Sequence, residues 1–172
     1  MNTPRVYMRV TPSPLNQWLA LAGWVALCAA AGAIGAIASV RAAEFYASLE
    51  QPSWAPPAGV FGPVWTLLYM SMALAAWLAW RERTWARAQG ALGLFVLQLA
   101  FNALWSWLFF GWHRGALAFA DILVLLALIV ATIVAFSRIH TLAAWLLAPY
   151  LAWVSFATVL NYSVWQLNPL RL

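Results

Sequence analysis

Five apolar stretches of roughly 20 residues or more, enough for a helix to cross a bilayer, take up most of this chain. Hydrophobic residues make up 66% of the 172 positions and charged residues only 8%, too few to cover the surface of a soluble domain. We therefore predict an all-α, polytopic membrane protein with one domain. The predicted spans are Leu15–Ala38, Phe61–Trp80, Gly90–Phe110, Ala116–Phe136 and Leu142–Val164.

The chain divides into three parts: an N-terminal extension of residues 1–14, a membrane domain of residues 15–166 and a C-terminal tail of residues 167–172. The first apolar run is longer than the core of a secretory signal, which has about 7–15 residues. Its small residues could still be a cleavage site, so removal of this segment stays an alternative. At four-residue spacing, small residues let another helix approach closely. The pairs are Gly32/Ala36 and Gly35/Ser39.

The arginines predict the orientation of the spans. One side of a five-span protein would carry six arginines and the other side three. We expect the protein in a bacterial inner membrane. Because positive charge is enriched in cytoplasmic loops, its N-terminus should then lie on the cytoplasmic side. The rule does not apply to a helical protein of an outer membrane, so that location stays open. The six are Arg5, Arg9, Arg81, Arg83, Arg87 and Arg138, and the three are Arg41, Arg114 and Arg171.

The sequence lacks the residues that several classes of function require. The net charge of +5 is spread over loop ends, whereas nucleic-acid binding needs a basic cluster, so we expect no nucleic-acid partner. His113 and His140 lie in short loops without further ligands at suitable spacing, so we predict no metal site. Catalytic triads, paired carboxylates and phosphate-binding glycine loops are missing from the sequence, which argues against hydrolytic and phosphoryl-transfer chemistry.

Asp121 is the only acid within a predicted span. An intramembrane carboxylate is a functional candidate by default. It lies near the start of its helix, however, where the helix dipole and access to the interface reduce the cost of the charge. We expect it to be structural and paired with Arg114 or with a Trp or Tyr donor.

Three spans each carry aromatic side chains beside polar or thioether groups on one helical face. Amides that faced lipid would leave hydrogen-bonding groups unpaired at a high cost, so these faces should meet protein or a wet cavity. Together, beneath the proline-rich aromatic loop Gln51–Gly62, they favour a pocket for a flat ring. Hydrogen bonding between helices is the alternative role of each amide. The faces are Trp65, Tyr69 and Met72; Gln98, Asn102, Trp105 and Phe109; and Pro149, Trp153, Ala157 and Asn161.

Pro149 also predicts a bend in the last span, because proline cannot donate to the carbonyl of Trp145.

Longer motifs extend these faces: Tyr46-Ala-Ser-Leu-Glu-Gln-Pro-Ser-Trp54-Ala-Pro-Pro57, Pro63-Val-Trp-Thr-Leu-Leu-Tyr69, Gln98-Leu-Ala-Phe-Asn102-Ala-Leu-Trp105, Trp145-Leu-Leu-Ala-Pro149-Tyr-Leu-Ala-Trp153 and Ala157-Thr-Val-Leu-Asn161-Tyr. In this order and spacing they resemble the TspO/MBR family. These are the tryptophan-rich sensory proteins related to the mitochondrial translocator, or peripheral benzodiazepine receptor. The resemblance covers about residues 15–166.

The resemblance implies a five-helix bundle whose long first loop is the lid of an internal cavity. It implies protoporphyrin IX or haem as a tetrapyrrole ligand, or a benzodiazepine-type molecule, with no cofactor required. By position, Trp65, Asn102, Trp105, Trp153 and Ala157 would line the pocket, with Tyr46 and Trp54 in the lid. With the helical faces added, the predicted ligand-binding set is Tyr46, Trp54, Trp65, Tyr69, Gln98, Asn102, Trp105, Phe109, Pro149, Trp153, Ala157 and Asn161.

Two features depart from the family pattern. Tyr162 is followed by Ser-Val-Trp-Gln, and Arg171 lies too far along the chain to complete the cholesterol motif of the animal members. We therefore expect a tetrapyrrole and not a high-affinity sterol site. Gly93 is followed four residues later by Leu97, which breaks a close-packing pattern of the third helix and leaves homodimerisation open.

Three functions are compatible with the resemblance. The first is a tetrapyrrole-binding receptor or transporter that regulates porphyrin handling or a stress response. The second is a light- and oxygen-dependent enzyme that degrades protoporphyrin IX, in which Trp65 and Trp153 would be the catalytic residues. The third is a membrane scaffold or regulator that its ligand switches.

Overall fold

The computed structural model describes residues 13–81 and 85–172, and this part of the chain is helical, with no strand. The α-helices are α1 (Pro14–Ala38), α2 (Ala42–Ala47), α3 (Phe61–Arg81), α4 (Trp85–Ser106), α5 (Gly115–Ser137), α6 (Thr141–Leu146) and α7 (Ala148–Leu167). A 3₁₀ turn, Ala58–Val60, precedes α3, and a π-helical turn, Trp107–Gly111, follows α4.

Five helical segments are long and apolar enough to cross a membrane, which confirms the predicted all-α, five-span architecture. Their bounds lie within a few residues of the predicted ones. They are Pro14–Ala38, Ala58–Arg81, Ala88–Gly111, Gly115–Ser137 and Thr141–Leu167. Arg5, Arg9 and Arg83, which contribute to the predicted orientation, lie outside the described residues.

The last span is interrupted at Leu147, between α6 and α7, as the proline in its sequence predicts. Pro149 occupies the first turn of α7, where its missing N–H leaves no intrahelical bond unmade. The Ser71 hydroxyl of α3 donates to the Leu146 carbonyl over 2.6 Å. A side chain of a neighbouring span therefore satisfies an acceptor that the interruption would otherwise leave without a donor.

Small residues of α1 let α3 and α4 approach it closely. A Cβ atom placed on Gly32 would lie 3.0 Å from Cε2 of Tyr69, and one placed on Gly35 would lie 3.1 Å from Oγ of Ser106. The close helix approach predicted for this end of α1 is therefore present. The side chains that pack against the two glycines are the ring of Tyr69 and the hydroxyl of Ser106.

The chain between the first two spans packs over one end of the bundle. We call residues 39–60 the covering segment; it contains α2, the proline-rich loop and the 3₁₀ turn. Tyr46 and Leu49 are buried against Phe109 of the π-helical turn and Leu160 of α7. Within the covering segment, Ala42–Ala47 forms a short helix, favoured by three alanines and a glutamate among its six residues.

Candidate functional site

A cavity of about 1000 Å³ lies inside the bundle, closed at one end by the covering segment. Its wall is mainly apolar and is formed by α1, the covering segment, α3, α4, the π-helical turn and the last span. Val25, Met70 and Leu74 belong both to this wall and to the exposed apolar surface between α1 and α3. The cavity therefore reaches the side of the bundle as well as the underside of its cover.

Seven of the twelve residues predicted to bind a ligand line this cavity. They are Tyr46, Trp65, Tyr69, Asn102, Trp105, Trp153 and Ala157. The other five lie behind the wall or on the outside of the bundle, and as ligand contacts they stay predictions. They are Trp54, Gln98, Phe109, Pro149 and Asn161.

A chain of side-chain hydrogen bonds runs from the cavity wall into the core. The Tyr69 hydroxyl donates to Asn102 Oδ1 over 2.5 Å, and Asn102 Nδ2 donates to the Tyr150 hydroxyl oxygen over 3.2 Å. The Tyr150 hydroxyl donates to Gln98 Oε1 over 2.7 Å, while Gln98 Nε2 lies 3.8 Å from the sulfur of Met72. Asn102 therefore both faces the cavity and joins helices, whereas Gln98 lies behind the wall and joins helices.

A second group of hydrogen bonds fixes the indole of Trp105. Its Nε1–H donates to Asn161 Oδ1 over 2.9 Å, and Asn161 Nδ2 donates to the carbonyl of Gly115 over 3.3 Å. The Trp105 ring also stacks on Phe109, with centroids 5.4 Å apart and an interplanar angle of 16°. Asn161 and Phe109 are thus the partners that orient a wall residue, which explains their place on the predicted faces.

Aromatic rings connect the two tryptophans considered for photochemistry to the rest of the wall. Trp65 contacts Tyr69, with ring centroids 5.7 Å apart, and Trp153 contacts Phe61, with centroids 5.9 Å apart. The Nε1 atom of Trp153 is buried and has no hydrogen-bond partner among the described residues. Both indoles are held by ring packing, so phenylalanine can replace either one without breaking a side-chain hydrogen bond shown here.

Within the covering segment, Tyr46 is the aromatic side chain that reaches the cavity. Its ring packs edge-on against Phe61, with centroids 5.6 Å apart, and burial raises the pKa of its hydroxyl above the ordinary value. Trp54 is 47% exposed and packs edge-on against Phe156 of α7. Trp54 therefore fastens the proline loop to the outside of the bundle and does not line the cavity.

Sequence reasoning missed the contribution of α1, whose small and apolar residues form one side of the cavity. A small residue signals close helix packing and carries no chemical signal of a binding site, so periodicity alone could not have assigned them. Phe61, four residues before Trp65, and Ser106, next to Trp105, also line the cavity. The wall residues of α1 are Leu21, Val25, Cys28, Ala29, Gly32, Gly35 and Ala36.

Asp121 does not have the partner expected for it. The residue is 6% exposed, and within the described ranges neither carboxyl oxygen accepts a hydrogen bond. The prediction of pairing with Arg114, Trp or Tyr is therefore wrong for this structure; Arg114 precedes the first residue of α5 and is exposed. Across residues 13–81 and 85–172, no group of three His, Cys, Asp or Glu side chains could hold a metal ion.

The chain matches the TspO/MBR family over residues 24–166, which include the second, third and fourth spans and all but the last residue of the fifth. The human Translocator protein is 44% identical over 127 residues, covering 73% of this chain and 75% of that protein. The Tryptophan-rich protein TspO of Chlorobaculum tepidum is 42% identical over 159 residues, covering 90% of this chain and 99% of that protein.

A further relative, the Tryptophan-rich sensory protein of Cereibacter sphaeroides, is 38% identical over 155 residues, covering 88% of this chain and 93% of that protein. The matched region contains the aromatic wall, the amide network and the whole covering segment. The chain belongs to the TspO/MBR family and is an integral, multi-pass membrane protein.

Proposed function

We propose that this protein binds a tetrapyrrole, such as protoporphyrin IX or haem, in the cavity beneath the covering segment. It would act as a receptor or transporter in porphyrin handling or a stress response. The observation that carries the proposal is the cavity of about 1000 Å³ with its aromatic wall. Small-molecule sites span about 300–1,000 Å³, so this volume suits a large ring better than a small metabolite.

The chemistry of the wall supports a flat, largely apolar ligand. Trp65, Trp105 and Trp153 supply ring faces, and stacking on such faces adds about 0.5–1.5 kcal/mol per aromatic pair beyond area burial. Asn102 of α4 and Tyr69 of α3, which are hydrogen-bonded to each other, supply polar atoms to the wall. No lysine, arginine, aspartate or glutamate belongs to the described wall, which suits the apolar ring system of a tetrapyrrole and supplies no charged partner for its carboxylates.

Light- and oxygen-dependent breakdown of protoporphyrin IX is the second candidate function. The observation that favours it is the presence of two indoles, Trp65 and Trp153, in the wall of one cavity. Indole is an easily oxidised side chain, so either ring would be a suitable redox partner for a photoexcited ring bound beside it.

A binding titration in the dark tests the first candidate. Purified protein in detergent is titrated with protoporphyrin IX while tryptophan fluorescence is recorded, and the bound ring is then displaced with haem. Saturable, competitive quenching at one site per chain is the expected result, and linear quenching without saturation would contradict the proposal. Illuminating the same complex in air then tests the second candidate, because only an enzyme degrades porphyrin faster than free tryptophan does.

The membrane and the orientation belong to the same proposal. We place the protein in a bacterial inner membrane, where the arginine distribution favours a cytoplasmic N-terminus with the covering segment on the opposite face. A ligand would then meet the cover from outside the cytoplasm. Protease protection of a tag fused to the N-terminus, in sealed inner-membrane vesicles of known orientation, tests this arrangement.

A further inference from the structure

The chain that follows the last span is hydrogen-bonded to the covering segment. Asn168 Oδ1 accepts from the backbone N–H of Glu50 over 2.9 Å, and Asn168 Nδ2 donates to the Glu50 carbonyl over 2.8 Å. The side-chain amide therefore pairs with both backbone groups of one residue, as a neighbouring β-strand would. Asn168 is buried although it lies beyond the end of α7.

Arg171 makes a second connection to the same segment. Its guanidinium donates to the carbonyl and to the hydroxyl of Ser48, the latter over 3.0 Å. Ser48 immediately follows α2, whose Tyr46 lines the cavity. The two connections therefore hold the part of the covering segment between Tyr46 and the proline-rich loop.

The C-terminal turn is itself fixed to the bundle. Asn168 Nδ2 also donates to the Val164 carbonyl of α7 over 2.8 Å. Gly115, the first residue of α5, leaves room for the turn, since a Cβ atom there would lie 2.8 Å from Cβ of Leu172. The turn thus bridges two transmembrane helices on one side and the covering segment on the other.

We propose that Asn168 and Arg171 are positioning residues that keep the covering segment closed and so set the rate at which the cavity exchanges its contents. Within the described residues, the covering segment has few other hydrogen bonds to the bundle, and its remaining contacts are mainly aromatic and apolar. Apolar packing has no directional preference, whereas the Asn168 pair fixes one register of the backbone. Loss of the pair favours opening without removing any group from the cavity wall.

Thiol labelling tests this proposal without a ligand. Ser106 lines the cavity near the covered end, so Ser106→Cys in a Cys28→Ser background supplies a single reporter thiol. A charged, water-soluble methanethiosulfonate reagent is added to proteoliposomes, because a charged reagent cannot enter through the lipid side of the cavity. Asn168→Ala should raise the labelling rate about tenfold, because it removes both side-chain hydrogen bonds to the covering segment and each slows opening by a few-fold. Arg171→Ala should raise the labelling rate by several-fold.

Leu170→Ala is the matched control, because this neighbouring side chain is 99% exposed and should leave labelling unchanged. A purely structural role for Asn168 and Arg171 would lower the melting temperature and leave the labelling rate of the folded protein as in the parent. That result would overturn the proposal. If Asn168→Ala does not fold, Arg171→Ala still decides, because its side chain is on the surface.

Porphyrin exchange gives a second readout, and this arm rests on the proposed function. In the dark, association and dissociation of protoporphyrin IX should both become faster by a similar factor, with Kd changed less than about twofold. A change in Kd with unchanged rates of exchange would contradict the positioning role. Absence of porphyrin binding to the parent protein would overturn the proposed function, while the labelling result would still decide the role of the two residues.

Discussion

The Tyr69 hydroxyl donates to Asn102 Oδ1 over 2.5 Å, so a residue of α3 and a residue of α4 form one polar unit in the cavity wall. Asn102 also donates to Tyr150 of α7, which makes it the junction of three spans. The sequence left two roles open for such an amide, ligand contact and hydrogen bonding between helices. In this position a single side chain can have both.

Asn102→Leu should therefore destabilise the protein as well as weaken porphyrin binding. The substitution leaves the part-buried Tyr69 hydroxyl without its acceptor, which costs about 1–3 kcal/mol of unfolding free energy. The double variant with Tyr69→Phe should lose less than the sum of the two single losses, because the unpaired hydroxyl is then gone. Thermal unfolding in detergent measures all three variants, and strictly additive losses would contradict the coupling.

Gly32→Ala should loosen the contact between α1 and α3. The new methyl group would lie 3.0 Å from Cε2 of Tyr69, whose ring cannot move away freely because Asn102 and Trp65 hold it. Overpacking of this kind costs about 1–3 kcal/mol. Gly23→Ala on the same helix is the control, since nothing lies within 4 Å of its Cβ position. Equal melting temperatures for the two variants would count against a tight α1–α3 contact.

Trp65→Phe and Trp153→Phe separate binding from photochemistry. Phenylalanine keeps most of the stacking surface, so each variant should bind protoporphyrin IX within about threefold of the parent, or about 0.7 kcal/mol. If the protein is a photo-oxidative enzyme, light-dependent porphyrin loss should fall strongly in both. Fluorescence titration in the dark and porphyrin absorbance under illumination supply the two readouts. Unchanged degradation in both variants would exclude the indoles as redox partners.

Ser71→Ala should destabilise the junction of α6 and α7. The Leu146 carbonyl loses the hydroxyl that donates to it over 2.6 Å, at a cost of about 1 kcal/mol. Ser155→Ala removes a hydroxyl that bonds only within its own helix, to Leu151, and should change the melting temperature little. Faster amide exchange confined to the residues around Leu147 would identify the affected region. Equal melting temperatures for the two variants would show that the hydrogen bond between Ser71 and Leu146 does not contribute to stability.

The spans and much of the cavity wall could be predicted from the sequence because both depend on local periodicity. Apolar length defines a span, and spacings of three and four residues bring Asn102 and Trp105 to one face. The same spacing also selected Gln98 and Asn161, which turn toward neighbouring helices. A helical face is wide enough to contain both a cavity wall and a helix contact, so periodicity cannot separate the two.

Other parts of the site carry no local signal. Gly32 and Gly35 line the cavity through the room they leave, which from sequence is indistinguishable from ordinary close packing of helices. Asn168 bonds to the backbone of Glu50, 118 residues earlier. Since every residue has the same backbone groups, the sequence does not indicate which residue is the partner. Asp121 was expected to have a partner on general grounds, but only the arrangement of all neighbouring helices decides whether a donor is within reach.

The bond between Asn168 and Glu50 also has a consequence for biosynthesis. A ribosome makes the chain from its N-terminus, so the first loop and the first four spans enter the membrane before the residues that hold the loop exist. Glu50 must wait for 118 further residues before its partner is available. If Asn168 and Arg171 hold the covering segment closed as proposed, this closure can be completed only after all five spans have been synthesised.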